Sequence, residues 1–183
     1  MRKSKNVERT LLQSALKKNL KTLFNMEKRI SWDEYFLKLA MLIAERSTCL
    51  RHHVGAVIVR NKRALTTGYN GAVSGLKSCD ELGCLRNKLK IASGTRQEIC
   101  RAIHAEQNAI VQAGLHGINI SGSTMYITHT PCIICAKMIA NAGLKRIVTF
   151  ADYPDKNSLA LLRKKGIKID RTKKPYHIIS VME

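Results

Sequence analysis

Proline, aromatic residues and acidic residues are all scarce in this 183-residue chain. Three prolines and 11 glycines beside 45% hydrophobic residues exclude a collagen-like or wholly disordered chain. Aromatics at 5% are few for a protein that stacks single-stranded bases. Only 13 Asp and Glu face 32 Lys and Arg, so the formal charge is +19. That balance points to phosphate-bearing partners without separating a nucleic acid from a nucleotide or a membrane surface. No apolar run approaches the ~18 residues of a membrane-spanning helix. After Met1-Arg2-Lys3-Ser4-Lys5 there is also no continuous apolar stretch of the secretory kind. A cytoplasmic location with reduced thiols is therefore expected, and the six cysteines read as metal ligands or catalytic groups rather than disulfides.

The length fits one domain plus a short extension. Residues 1–29 carry nine basic and two acidic residues, with Leu12, Leu16, Leu20 and Phe24 on one helical stripe. They read as a basic, helical N-terminal extension, packed on the domain or a partner, or acting as a surface arm. The main domain, residues 30–183, opens with the capping-box pattern Ser31-Trp32-Asp33-Glu34. Trp32, Phe36, Leu39 and Ile43 then predict a helix with one buried face. Val54–Val59 and Ala64–Tyr69 read as antiparallel strands joined by the turn Asn61-Lys62-Arg63. Residues 70–100 hold four glycines without periodicity, a loop long enough to be functional or held by something. Beyond it helices and strands alternate: a helix over His104–Ala113 stopped by Gly114, a strand over Thr124–His129, a helix over Cys132–Ala142 and a strand over Arg146–Phe150. A helix over 157–165 and a short strand at Ile167–Ile169 complete the pattern. It predicts an α/β sandwich around a mixed sheet.

Two segments carry chemistry: His104-Ala105-Glu106 and Pro131-Cys132-Ile133-Ile134-Cys135. Cys132 and Cys135 are three apart at a helix start, so both thiols leave one turn in the same direction. The helix N-terminus favours the ligating thiolate. With His104 they supply three ligands and leave the fourth zinc position open, the arrangement of a catalytic site. Glu106 lies two residues from His104 and suits proton transfer beside that open position. H-x-E followed by P-C-x-x-C is the signature of zinc nucleobase deaminases, where zinc makes hydroxide available near neutral pH to attack the amidine carbon.

From about Trp32 to Val181 the chain resembles the deoxycytidylate (dCMP) deaminase family of the cytidine deaminase superfamily, in its competence-operon deaminase-like branch. The resemblance rests on Val54-Gly55-Ala56-Val57-Ile58-Val59, Gly68-Tyr69-Asn70-Gly71, His104 through Ile110, Pro131-Cys132 with Cys135-Ala136-Lys137, and Asp152-Tyr153-Pro154-Asp155. It implies a three-layer αβα sandwich with a five-stranded mixed sheet and a homo-oligomer. The implied reaction is hydrolytic deamination of dCMP to dUMP and ammonia, which supplies dUMP for thymidylate synthesis. It also implies substrate contacts from Asn70, the Ala105 amide, the carbonyl near Thr130, and Tyr153. Asn70 also reads as an ordinary turn residue, and Tyr153 as a packed loop tyrosine. Val73 stands where many relatives have proline, in a segment that binds regulatory triphosphates in some members, so the resemblance does not carry dCTP or dTTP control to this chain.

Cys49, Cys79, Cys84 and Cys100 remain, the number that a closed structural zinc site requires. A second zinc there would tie the long loop to the core, with His52 or His53 able to replace one cysteine; buried free thiols are the alternative. Phage relatives are similar in using a second zinc with ligands matching Cys49 and Cys79. Lys77, Arg86, Lys88, Lys90 and Arg96 are the candidates for a substrate 5′-phosphate. A nucleotide substrate is preferred, with a polynucleotide (tRNA or single-stranded DNA) deaminase and a noncatalytic DNA-uptake protein as alternatives. Residues 1–25 supply +6 of the +19 and the domain keeps the rest, so charge does not decide among them.

Overall fold

The computed structural model describes residues 29–175. The chain divides into two units, Met1–Ser31 and Trp32–Glu183. The stripe from Leu12 to Phe24 lies outside the described residues.

Helix α1 (Trp32–Ala44) buries Phe36, Leu37, Ala40 and Ala44, a face turned from the expected stripe. Phe36 is shared, Leu39 and Ile43 are half-buried and Trp32 is 41% exposed, because the small Ala40 and Ala44 are what lets the helix approach Gly55 of the sheet. Strand β1 (Gly55–Arg60) pairs antiparallel with β2 (Arg63–Tyr69) across a two-residue turn. Asn61 and Lys62 have φ of 52° and 61°, the left-handed values a tight hairpin turn demands of both central residues. Arg63, expected in the turn, already belongs to β2.

The long segment after β2 is anchored rather than loose. Strand β3 (Gly71–Ala72) pairs antiparallel with β4 (Ala102–Ile103) and closes the base of the excursion. Between them lie two single-turn helices, α2 (Cys79–Leu82) and α3 (Leu85–Lys88), and a 3-10 turn at Gln97–Ile99. Such short pieces carry no hydrophobic periodicity, so the sequence pattern could not announce them.

Helix α4 (Ala105–Leu115) follows, then β5 (Thr124–His129), α5 (Ile133–Asn141), β6 (Arg146–Ala151), α6 (Lys156–Lys164) and β7 (Lys168–Arg171). Gly114 does not stop α4 as expected. A single glycine costs a helix only ~1 kcal/mol relative to alanine, and α4 runs on to Leu115 before Gly117 at φ 62° turns the chain. Gly143 and Gly166 do follow α5 and α6 with φ of 77° and 78°. The sheet order is β2-β1-β5-β6-β7, antiparallel as far as β5 and parallel from β5 to β7.

Alternation along the central strands builds two apolar layers. Ala56, Ile58, Met125, Ile127 and Ile147 pack with Ala105, Ala109, Ala136, Ile139 and Leu162 of α4, α5 and α6. Val57, Val59, Tyr126 and Val148 pack on the opposite face with Phe36, Leu37 and Ala40 of α1. The result is the expected three-layer αβα sandwich. Two glycines let the helices approach. A Cβ on Gly55 would lie 2.1 Å from the Ala40 carbonyl oxygen, and one on Gly68 would lie 2.3 Å from that of Ala105.

Candidate metal centre and active site

The N-termini of α4 and α5 meet at one pocket. The Nδ1 of His104 is 3.5 Å from the Sγ of Cys132 and 3.4 Å from that of Cys135. Zinc bonds of ~2.3 Å to sulfur and ~2.0 Å to nitrogen at a tetrahedral angle separate such ligands by about 3.6 Å. The spacing and the soft donor set therefore fit a zinc ion. Among the described residues, this is the one group of three or more potential ligands whose donor atoms all lie within 4.8 Å of one another.

Local structure sets each ligand. His104 caps α4, and its amide donates to the Oε1 of Gln107 at 2.9 Å. Cys132 caps α5 and Cys135 lies one turn in, fully buried. Asp155, which the sequence reading left without a role beyond its motif, accepts from the Ile133 amide at 2.7 Å and the Ser158 amide at 3.1 Å. One carboxylate thus caps both α5 and α6, which holds Cys132 and Cys135 against the rest of the site.

Electrostatics set the three ligands apart. A hydrogen bond from Cys135, supported by His104, draws the Cys132 thiol down to about 4. Sharing that hydrogen bond, together with burial, pushes the Cys135 thiol up. Burial opposes protonation of His104, but Cys132 and the charge of Glu106 outweigh it and hold His104 above its usual value. Glu106 is 4% exposed. Burial raises it to about 7 despite the counteracting charge of His104. A carboxyl balanced near neutrality can both accept and release a proton at working pH.

The expected substrate contacts converge here as well: Asn70, Ala105, Thr130 and Tyr153 all line the pocket with His104, Glu106 and Cys132. Asn70 is no hairpin turn residue. Its Oδ1 accepts from the Val54 amide at 2.8 Å and the Ser47 hydroxyl at 2.6 Å, while its Nδ2 donates to the His52 carbonyl at 2.8 Å. The Thr130 hydroxyl accepts from the Tyr153 amide at 2.7 Å, so the two residues are positioned together.

Cys49, Cys79, Cys84 and Cys100 line the same pocket, all free. Burial pushes the Cys79 thiol up, reinforced by Cys100, Cys49 and Cys84 and opposed by Arg101, which shows that the four share one neighbourhood. Their donor atoms do not close into a group of three within 4.8 Å. His52, expected as a possible replacement for one cysteine, lines the pocket, and so do Arg51 and His129, which the sequence reading gave no part in the site. His53 lies in a separate pocket with Lys174, His116 caps the end of α4, and His177 is outside the described residues. Of the five phosphate candidates only Arg86 reaches the site; Lys77, Lys88, Lys90 and Arg96 are exposed elsewhere.

Residues 30–151 match the family described as "Cytidine and deoxycytidylate deaminase zinc-binding region". ComE operon protein 2 of Bacillus subtilis is 44% identical over 125 residues, covering 68% of this chain and 62% of that protein. Deoxycytidylate deaminase of Schizosaccharomyces pombe is 36% identical over 142 residues, covering 77% of this chain and 44% of that one. The chain thus spans about half the length of these two curated relatives. A solved structure of dCMP deaminase from the cyanophage S-TIM5, in complex with dCMP and dUMP, matches with a TM-score of 0.64 and 32% identity, covering 76% of this chain and 95% of that chain.

Proposed function

Because the chain belongs to the cytidine and deoxycytidylate deaminase zinc-binding family, we propose that it hydrolyses dCMP to dUMP and ammonia and so supplies dUMP for thymidylate synthesis. The observation that carries this reading is the convergence of His104, Cys132 and Cys135 beside a buried, near-neutral Glu106 in one pocket. The likeness to proteins named for dCMP supports the choice of substrate.

His104, Cys132 and Cys135 would hold the catalytic zinc, which when bound supplies the Lewis acidity that ionises water near neutral pH. Glu106 takes the proton of the attacking water and passes it to N3 of the cytosine. Water oxygen adds to C4, and Glu106 then takes the remaining hydroxyl proton of the adduct and delivers it to the amino group as the C4–N4 bond breaks, which leaves the C4 carbonyl and releases ammonia. Asn70 holds the sugar, the Ala105 amide donates to the pyrimidine carbonyl, and the Thr130 carbonyl faces the leaving amino group. Tyr153 walls the nucleotide.

Residues 30–183 form the deaminase domain in this reading, and residues 1–29 a basic extension. Cys49, Cys79, Cys84 and Cys100 would hold a second, structural zinc once their thiols draw together; their shared pocket supports this. The working form is a cytoplasmic homo-oligomer, and the exposed apolar pair Val111 and Leu115 on α4 is a surface that assembly would cover. No helix among the described residues is long and apolar enough to cross a membrane.

The test is to incubate the purified protein with dCMP, dCTP, deoxycytidine and cytosine-containing oligonucleotides and measure ammonia. Turnover confined to dCMP supports the reading. Turnover confined to oligonucleotides, or none on any cytosine compound, removes it.

A further inference from the structure

Strand register gathers cations at the end of the sheet remote from the catalytic pocket. Arg60 of β1 lies opposite Arg63 of β2, and Val59 opposite Thr124 of β5. Thr124 lies opposite Arg146 of β6, and Arg146 opposite Lys168 of β7. Lys62 occupies the β1–β2 turn, and Lys145 immediately precedes β6. The last turn of α6 brings Arg163, Lys164 and Lys165 to the same end. There the Ile167 amide donates to the Leu162 carbonyl and the Lys168 amide to the Lys145 carbonyl, both at 3.0 Å. Arg60 ties in the other side, its Nη1 donating to the Ser121 carbonyl at 3.3 Å.

The acids near this row are already committed. Asp33 and Asp170 both pair with Arg146, and Asp170 also pairs with Lys168 at 3.2 Å. Arg63, Lys145, Arg163, Lys164 and Lys165 are exposed and form no ion pair among the described residues. Lys62 is exposed too, with its Nζ 5.5 Å from the centre of the Trp32 ring, a contact that orients its charge without cancelling it.

This charge is too far from the pocket to hold a nucleotide there. His129, which lines the pocket, pairs with Ala151 at the opposite end of the β5–β6 ladder from Thr124 and Arg146. Five steps of ~3.4 Å put about 17 Å between the two ends of β5. That is roughly twice the Debye length of ~8 Å at physiological salt. The row itself crosses five strands spaced ~4.8 Å apart, a span of about 20 Å. A nucleic-acid duplex carries one phosphate charge per ~1.7 Å of its axis, so about a dozen phosphates can face a row of this length. The turns between the cations hold Asn61, Gly122, Gly143 and Gly166, which offer no apolar wedge of the kind that enters a membrane interface. Trp32 beside the row is stacked on Phe36, with ring centroids 5.7 Å apart. Backbone phosphates, rather than unstacked bases or lipid, therefore match this surface.

We propose that this end of the sheet binds the phosphate backbone of duplex nucleic acid without reading its sequence, as a tether separate from the catalytic pocket. The exposed lysines and arginines release condensed counterions from the duplex, which makes binding steeply salt-dependent. The proposal does not depend on the dCMP reading.

The test measures binding of the full-length, zinc-loaded protein to fluorescently labelled duplex DNA by anisotropy, from about 50 to 200 mM salt. In K145A/K164A/K165A the slope of log K against log salt should shrink by about 2–3, since each phosphate contact contributes roughly 0.9. The control K77A/K88A/K90A removes as much charge from exposed positions on the long segment after β2 and should keep the slope of the unmutated protein. Equal slopes in all three proteins, or equal losses in both variants, overturn the proposal, and so does binding to vesicles of equal parts phosphatidylserine and phosphatidylcholine but not to the duplex. A footprint on the unmutated protein removes any dependence on how the variants fold. Lysines are acetylated with and without duplex and mapped by mass spectrometry. Protection of Lys62, Lys145, Lys164 and Lys165, with Lys77, Lys88 and Lys90 still reactive, supports the surface; uniform protection overturns it. Neither measurement needs turnover, so failure of the deaminase assay and failure of this proposal are separate results.

Discussion

The imidazole Nδ1 of His104 lies 3.4 Å from the Sγ of Cys135, a residue 31 positions away. The contact exists because two helices begin at the same point: α4 starts directly after His104 and α5 directly after Cys132. Helix N-termini present unpaired amides and positive partial charge. Placing Cys132 there favours its thiolate and leaves Glu106, in the first turn of α4, buried against the ligands.

Glu106→Gln should separate chemistry from metal binding. The amide keeps the shape of the side chain but cannot carry a proton between water, N3 and the leaving amine. Deaminase kcat should fall by about 10²–10⁴-fold, while zinc at the His104–Cys132–Cys135 site, measured by atomic emission, stays at the level of the unmutated protein. Substantial activity in E106Q would exclude the proton-transfer role.

The three cysteines of the long segment, together with Cys49, make a prediction about stoichiometry. Protein purified without chelators should contain two zinc ions per chain, and Cys79→Ser should reduce that to one. In the same variant the 73–101 segment should become more sensitive to protease, since the proposed second metal would tie Cys79 and Cys84 to Cys49 and Cys100. A value near one zinc per unmutated chain would mean that these residues are buried free thiols.

Arg146 couples three layers of sequence. Its Nη1 and Nη2 donate to the two carboxylate oxygens of Asp33 at 2.8 and 2.7 Å, and its Nε donates to Asp170 at 2.6 Å. The hydrogen bond from Arg146 outweighs burial and holds Asp33 below the usual carboxylate range. For Asp170 burial acts the other way, and Arg146 with Lys168 overcomes it. Since both folded values lie below the unfolded ones, their contribution is present above about pH 4 and is lost as pH falls through the folded values. Asp33 is a third exposed, so solvent screening keeps the contribution to about 1 kcal/mol. Asp33→Asn should lower the unfolding free energy at pH 7 by that amount and flatten its decline below pH 4 in urea titrations. An unchanged acid limb would show that other carboxylates govern it.

Much of this architecture was legible because burial leaves a periodic trace. Thr124–His129 is a strand over the expected span, its centre buried on both faces; on α1 the apolar spacing foretold a helix with one buried face, although of the expected stripe only Phe36 is fully buried. The metal cluster was legible for a different reason, since ligand chemistry restricts both residue type and spacing. What escaped detection depends on contacts between segments distant in sequence. Asp155 caps the cysteine-bearing helix from 22 residues away, and the β3–β4 ladder pairs Ala72 with Ala102. Arg86 looked like one of five interchangeable cations until the fold buried it, and none of the other four, in the pocket wall. Gly114 was misleading because its cost as a helix residue is smaller than the gain from continuing α4 to Leu115.

Gly68 links the sheet to the chemistry and gives the last prediction. It sits on β2, where an added Cβ would lie 2.3 Å from the Ala105 carbonyl oxygen and 2.5 Å from the Ala109 amide nitrogen. Both neighbours are backbone of α4, so no flexible side chain can yield. Gly68→Ala must therefore lift the first turns of α4, which carry Glu106 and follow His104. Overpacking of this kind costs about 1–3 kcal/mol, and the displacement acts on the ligand whose Nδ1 must stay within reach of two sulfurs. The expected outcome is a folded protein with a lower unfolding midpoint, weaker retention of the catalytic zinc against a chelator, and reduced kcat. Gly55→Ala is the control: its Cβ would meet Ala40 and Ala44 of α1 on the opposite face. That variant should lose comparable stability while its zinc resists the chelator as in the unmutated protein. Equal loss of zinc from both would mean that stability alone, rather than the position of α4, governs the metal site.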